Sequence, residues 1–465
     1  MTPQPSRSAD QPAPSRGEPR ELTLAVGAPA HGGHCVARPV DDPSGRVIFV
    51  RHALPGETVR ARLTEMTSRT WRADAVEILQ ASPDRVESVW PDAGPAGVGG
   101  GELAHVALDA QRTWKRWVLA DCLRRIGGQE VADAVAALPE ASAAAAVPIE
   151  PMPTDAAAQA SNSARRRALA GTATRTRVSL TVGEDGRPGM HAFRSGTVLP
   201  LRRLPLAVDA ITEIGLLERS RWRAHYRPGM RIEAIAPSGG EPVVLLDERL
   251  LTAQARSTGR RRVREVVDAS ALGLGELTYS VHAEGFWQVH VDAPRVLVER
   301  VVRGALGADL DGAAGSRVLE LYSGAGLFTL PLAALVSSSG EVVSLEGNEQ
   351  AVRDARRTLH DQPSARLASG RVSARSVREL AGSLTGGRPD VVILDPPRQG
   401  AGREVIEAVG ALGAERIVLV ACDPAALARD LGTLLRSGYA LGSMSALDMF
   451  PHTHHFETIA VLERS

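Results

Sequence analysis

Past residue 276 the chain repeats one pattern: a short apolar run, a glycine- or proline-bearing turn, a helical stretch, then another apolar run. The runs "RVLEL", "EVVSLE", "DVVILD" and "IVLVAC" are continuous rather than alternating, which reads as strands buried on both faces. Helical patterns between them predict parallel strands joined by crossovers: an α/β domain over 276–465 with a Rossmann-like sheet covered by helices on both sides. Residues 19–80 follow a different period. Apolar and polar positions alternate over short segments such as "ELTLAV" and "TVRARL", separated by Gly- and Pro-bearing turns, which predicts a small β-barrel of the kind that binds oligonucleotides. Residues 81–275 mix both periods and predict a central α+β domain. Its Ala-rich, Pro-bounded stretch at 133–160 reads as a helix followed by a loose linker. Residues 1–18, rich in Pro, Ser and Gln with no apolar period, are expected to form a disordered tail.

A chain of 465 residues exceeds one ordinary core, which fits this multi-domain reading. The opening residues lack the apolar core of a signal peptide and no stretch approaches membrane-spanning length, so a cytoplasmic monomer without a membrane partner is expected. Acidic and basic residues balance at 54 each, and the whole-molecule field gives no case for a polyanionic partner. Of the basic residues only Lys115 is lysine. That arginine bias fits genomic base composition better than selection for phosphate binding, so the cluster Arg165, Arg166, Arg167, Arg175 and Arg177 reads either as an RNA patch or as a solvated face. In the barrel, Trp71 and Arg72 could stack on an unpaired base. The cysteines, at 35, 122 and 422, are too few for a disulfide framework or a four-thiolate metal site.

Candidate chemistry collects at the predicted strand ends. In "RVLELYSGAGLFTLPLA" a strand runs into Gly324 and Gly326, whose freedom lets backbone approach a nucleoside-type ligand; an ordinary turn packed for stability would look the same. "EVVSLE" ends on Glu346, placed to accept both ribose hydroxyls. "DVVILDPPRQGAG" ends on Asp395 and a Pro-Pro turn similar to that with which S-adenosylmethionine enzymes grip the group to be methylated. Arg398 stands where amino-methylating enzymes hold an aromatic, and the loop lacks the cysteine of cytosine methyltransferases. A thiol comes one strand later, in "ACDPAALARD". Carbon 5 of uracil is too weak a nucleophile to take a methyl group until a thiolate adds to carbon 6. Cys422, at a strand end before a helix capped by Asp423 and Pro424, has the context for that role, the helix dipole being expected to lower its pKa. By itself a lone cysteine after Val and Ala would be a buried, inert thiol. The carbon 5 proton then needs a base, and Glu457 precedes the last apolar strand in "FPHTHHFET". The spacing of His452, His454 and His455 lacks the usual zinc-ligand separations, so no metal is expected.

Together, "LELYSGAGLFTLPLA", "DPPRQG", "ACDPAALARD" and "FPHTHHFET" resemble the RNA uridine-5 methyltransferase family, which makes 5-methyluridine in tRNA and large-subunit rRNA. The barrel resembles the TRAM domain of the ribosomal RNA branch. The resemblance implies S-adenosyl-L-methionine as cofactor and RNA, rRNA or tRNA, as partner. It implies that Gln288, Tyr322, Gly324, Gly326, Leu327, Glu346 and Asp395 bind the cofactor, with Cys422 as nucleophile and Glu457 as base. His290 replaces a usual Asn, and Leu327 stands where relatives hold a cofactor-binding Asn. Many members carry an iron–sulfur cluster; here "WPDAGPAGVGGGELAHVALDAQRTWKRWVL" keeps Gln111 and Lys115 but no thiol, so no cluster is expected. The alternatives are methylation of another RNA position and a catalytically degenerate TRAM-type RNA-binding protein.

Overall fold

The computed structural model describes residues 21–141 and 146–465, so the tail expected over residues 1–18 lies outside it. In the first compact unit, β1 (Glu21–Ala30), β2 (His34–Pro39), β3 (Ile48–Arg51), β4 (Thr58–Met66) and β5 (Trp71–Gln80) close into a barrel in the order β1-β2-β3-β5-β4. The alternation seen in the sequence points Leu24, Val26, Ile48, Val50, Val59, Ala61, Ala73 and Ala75 inward, and the small alanines let so short a barrel close. Arg51 is buried there because Asp74 receives it through two hydrogen bonds, of 2.9 and 2.8 Å. Trp71 is half-buried beneath the Arg46 guanidinium, 5.3 Å from its ring, and Arg72 pairs with Glu65.

His31–Gly33 and Asp84–Ser465 belong to the second compact unit. Its strands are β6 (Ile149–Pro151), β7 (Arg177–Val182), β8 (Pro188–His191), β9 (Val198–Pro200), β10 (Arg231–Ile235), β11 (Val243–Leu246), β12 (Arg249–Thr252), β13 (Arg262–Asp268), β14 (Glu276–His282), β15 (Arg317–Leu321), β16 (Glu341–Glu346), β17 (Ala365–Ser369), β18 (Val391–Leu394), β19 (Arg416–Ala421), β20 (Tyr439–Asp448) and β21 (Glu457–Arg464). β7 to β12 make an antiparallel sheet in the order β12-β11-β10-β7-β8-β9, and β13 and β14 make a hairpin. The largest sheet runs β17-β16-β15-β18-β19-β21-β20-β6. β15 to β19 are parallel, and β21 enters antiparallel between β19 and β20.

Successive residues of the parallel strands go to opposite cores. Val318, Ile393 and Val418 pack with Val296, Leu297, Val301 and Leu332 on one face. Leu319, Val392 and Ile417 pack with Ile406, Val409, Leu427 and Leu431 on the other. Each such side chain contributes about 1.5–3 kcal/mol on burial, which is why these runs are mostly apolar on both faces. The segment before residue 160 shares this core: the helices Leu108–Arg125 and Gln129–Ala136 bury Leu119, Leu123, Val131 and Val135 in it. β6 hydrogen-bonds β20 in parallel, with Asp448 opposite Pro151. The stretch read as a loose linker therefore contributes an edge strand to the large sheet; three residues ending in proline carry no visible alternation.

Candidate active site

Register places the candidate residues on one sheet edge. Leu321 pairs with both Leu345 and Leu394, Leu394 pairs with Leu419, and Ala421 pairs with Thr458. The carboxyl ends of β15, β16, β18 and β19 therefore coincide with the start of antiparallel β21. Tyr322, Glu346, Asp395, Cys422 and Glu457 each lie within a residue of those paired positions. This is the crevice edge where open parallel sheets bind ligands.

The turn after β15 is built for close approach. Tyr322 takes φ 65°, Gly324 54° and Gly326 86°, and only glycine adopts such values without strain. A Cβ on Gly326 would lie 3.3 Å from Ala355, whereas one on Gly324 would project into open space. Glu346 ties this turn to the next: its Oε2 accepts the Gly324 N–H at 2.9 Å and its Oε1 accepts that of Asn348 at 2.6 Å. Each oxygen keeps a lone pair, enough for two ribose hydroxyls. Leu327 goes the other way: its side chain joins the hydrophobic core and its carbonyl accepts the buried Tyr279 hydroxyl at 2.9 Å. Gln288 is half-buried on a separate segment, held beside residues 174–176 by the pairs Thr176 N–Val289 O and Val291 N–Thr174 O. Next to it His290 accepts the Asp292 N–H at Nδ1, so Nε2 carries the proton and donates to Asp155 at 3.1 Å. Phe286 on that segment is 74% exposed.

Cys422 stands one residue past β19. Asp423 caps the helix Pro424–Arg436 by accepting the N–H groups of Ala425 and Ala426 at 3.0 and 2.8 Å, and Pro424 occupies the first turn. That cap is why the strand stops here. The expected lowering of the thiol pKa does not follow. Burial pushes Cys422 up to about 12, the Glu457 and Asp395 carboxyls add to the rise, and Arg398 opposes it. Desolvation and two acids outweigh one helix dipole. Burial, then Glu346, lifts Asp395 to about 7. Burial and Asp395 hold Glu457 well above the carboxylate range, and its Oε1 has no hydrogen-bond partner.

Glu320 completes the acidic group and was not among the expected residues. It is buried in the strand before the glycine turn, where Thr329 donates to Oε2 at 2.6 Å and Oε1 is unpartnered. Burial lifts it to about 8, with Asp395 and Glu346 adding. A single acid inside "RVLEL" was the available signal. An unpartnered buried carboxyl, Glu346 and an open glycine turn together fit a ligand bearing both a ribose and a positive charge.

An iron–sulfur cluster does not fit the donor set. Trp90, Ala93, Val98 and Ala104, from the thiol-free segment that begins at Trp90, form a hydrophobic core with Val178, Leu180, Leu204, Leu206, Ala207 and Trp222. Cys122 is buried on the helix Leu108–Arg125, and Cys35 is buried in the barrel. Of the histidines, buried His452 hydrogen-bonds Gln111, His454 lies 3.8 Å from Glu102, and the His454 and His455 rings are 3.9 Å apart. The arginine cluster divides. Arg165, Arg166 and Arg167 are exposed on the helix Ala164–Ala168, while Arg175 binds the Gly100 carbonyl and Arg177 binds Ala283, Gly285 and Glu265. Among the described residues no helix is long and apolar enough to cross a membrane.

A doubly wound sheet with a reversed strand at one side, an open glycine turn and an acid and a thiol at one edge defines a methyltransferase-type catalytic domain. Comparison with known proteins agrees. Residues 275–465 match the tRNA (uracil-5-)-methyltransferase family and residues 18–76 the TRAM domain. An RNA methyltransferase of Streptomyces avermitilis is 38% identical over 95% of this chain and 98% of its own. The 23S rRNA (uracil(1939)-C(5))-methyltransferase RlmD of Acinetobacter baumannii is 30% identical over 94% of this chain and 92% of its own. The Pyrococcus abyssi tRNA (uracil-54, C5)-methyltransferase, solved with S-adenosyl-L-homocysteine, has the same fold: TM-score 0.62 at 20% identity, over 94% of this chain and 99% of that one. The chain belongs to the RNA uracil-5 methyltransferase family, S-adenosylmethionine-dependent enzymes, with a TRAM domain ahead of the catalytic part.

Proposed function

We propose that this protein, a cytoplasmic monomer, methylates carbon 5 of a uridine in large-subunit rRNA through a covalent adduct, with Cys422 as nucleophile and Glu457 as base. The observation that carries the reading is their convergence: Cys422 follows Ala421, which pairs with Thr458, the neighbour of Glu457. Similarity to RlmD along nearly the whole chain supports rRNA over tRNA, and the barrel supplies an RNA-binding module. S-adenosylmethionine supplies an electrophilic methyl group. Glu346 would accept its ribose hydroxyls, and Tyr322 and the Gly324–Gly326 turn would line it. Asp395, Glu320 and Gln288 would serve its charged end, and Leu327 would contribute only its main chain.

The thiolate of Cys422 adds to carbon 6, and the electrons of the carbon 5–carbon 6 bond move onto the carbonyl at carbon 4. Those electrons return through carbon 5, which takes the methyl group as the sulfur–methyl bond breaks and its electron pair stays on the departing thioether, S-adenosylhomocysteine. The Glu457 carboxylate then removes the carbon 5 proton, the double bond re-forms, and sulfur leaves as thiolate. Burial makes this carboxylate more basic than one in water, which suits the last step.

The test uses RNA from a strain lacking the gene and S-adenosylmethionine carrying a labelled methyl group. Cys422→Ala gives no methylation and no adduct. Glu457→Gln accumulates methylated RNA bound to protein through denaturing electrophoresis, with turnover cut about 10²–10⁴-fold. An adduct formed by the Cys422 variant overturns the mechanism, and label mapped only to tRNA overturns the choice of RNA.

A further inference from the structure

The connection from β20 to β21, residues 449–456, carries the chain into Glu457 and is held from an unexpected direction. Lys115, the single lysine among 54 basic residues, is fully buried on the helix Leu108–Arg125. Its Nζ donates to Asp448 Oδ1 at 2.5 Å and to the Phe450 carbonyl at 3.0 Å. Asp448 is itself 2% exposed and directly follows Leu447, the residue paired with Glu457. One helical turn earlier Gln111, also buried, takes the His452 N–H on Oε1 at 2.7 Å; its Nε2 serves the carbonyls of Leu103 and Val106 and lies 3.1 Å from His452 Nδ1. The Leu103 N–H binds the His452 carbonyl at 2.9 Å. His452 adopts φ 66°, a conformation that a non-glycine residue keeps only when its surroundings over-determine it. Gln111 and Leu103 supply that determination.

We propose that Lys115 and Gln111 are positioning residues for the base Glu457, locking the 449–456 connection so that its carboxylate meets the carbon 5 proton. A buried ion pair is weak evidence of stability, because removing both charges from water cancels most of their attraction. What such a pair supplies is a unique arrangement, here at the residue next to the pairing partner of Glu457. The chemistry also explains a lysine in a chain that otherwise uses arginine: a compact ammonium fits between one carboxylate and one carbonyl, where a five-donor guanidinium would bring donors with no acceptor. The inference rests on the reading of Glu457 as base.

The experiment compares Lys115→Met/Asp448→Leu, which removes both charges of the pair and leaves Arg112 its second carboxylate, Asp109, with Lys115→Arg, Glu457→Gln and the full-length parent. It uses the same deletion-strain RNA and labelled cofactor, and follows methyl transfer and release of methylated RNA separately. The two Lys115 variants should slow release about 10²-fold, the scale of a misplaced catalytic group. Methyl transfer and KM for S-adenosylmethionine should stay near wild type, and the methylated adduct should accumulate. A folding defect alone would lower both steps together and leave no adduct. If Glu457→Gln accumulates adduct and neither Lys115 variant does, the positioning role is overturned while the base stands. If Glu457→Gln accumulates none, the base assignment falls and this inference with it. Failure of both Lys115 variants to fold also overturns it, since the pair would then hold the whole fold rather than one loop.

Discussion

Cys422, the nucleophile proposed above, is a half-buried thiol one residue past the end of β19. Its proton is held by burial and by the nearby acids, so in the free protein the thiolate is scarce at neutral pH. Iodoacetamide should alkylate Cys422 slowly at pH 7 and faster with each rise toward pH 12. Arg398→Ala should slow alkylation further, because Arg398 is the cation that opposes the rise. The check is the rate of carboxamidomethylation at Cys422 by peptide mass; a rate already at its plateau by pH 8 would show a low-pKa thiol instead. The position of Cys422 was legible from "LVACDPAAL", since a strand end and a helix cap are local patterns. The direction of its pKa was not, because burial, its first cause, is a tertiary property, and the carboxyls that add to it come from segments 27 residues before and 35 after it in the chain.

At the scale of elements, strand β15, its glycine turn and the helix behind it bury an acid at a cost. Glu320 is raised from 4.5 to about 8, with burial the first cause. Because the folded value lies above the unfolded one, its favourable contribution is fully present below about pH 4.5 and is lost as pH rises toward 8. Glu320→Gln, which cannot ionise, should therefore match wild type in urea midpoint at pH 4 and exceed it at pH 9; equal midpoints at both would mean that the buried acid is ionised without cost. An acid retained against such a penalty, with one oxygen unpartnered, fits a cationic ligand better than a structural role. The glycine turn, Glu346 and Asp395 could be placed from the sequence because each ends a continuous apolar run. Leu327 could not: whether a side chain beside a turn faces ligand or core depends on the local twist, and here Tyr279 and the core claim it.

For the molecule as a whole, a net charge of zero means that RNA must be held by local groups rather than by a general field. The five arginines that cluster in sequence are not equivalent in space. Arg175 and Arg177 spend their donors on carbonyls and on Glu265, tying the β7 region to residues 100, 283 and 285. Arg165, Arg166 and Arg167 sit exposed on one short helix, where Arg167 donates to the Ser161 carbonyl at 2.7 Å, and all three face solvent where phosphates could reach them. Replacing those three with alanine should weaken RNA binding and reduce the steepness with which log affinity falls against log salt by roughly 2, since each single-strand phosphate contact contributes about 0.7. Thermal stability should be unchanged. Replacing Arg177 should do the reverse: it leaves Glu265 buried without its cation, lowering the melting temperature with little change in salt slope. Filter binding of deletion-strain rRNA across a potassium chloride series, with a melting curve for each variant, separates the two effects. An unchanged slope in the triple variant would mean that this face is only solvated and that the phosphates are held elsewhere.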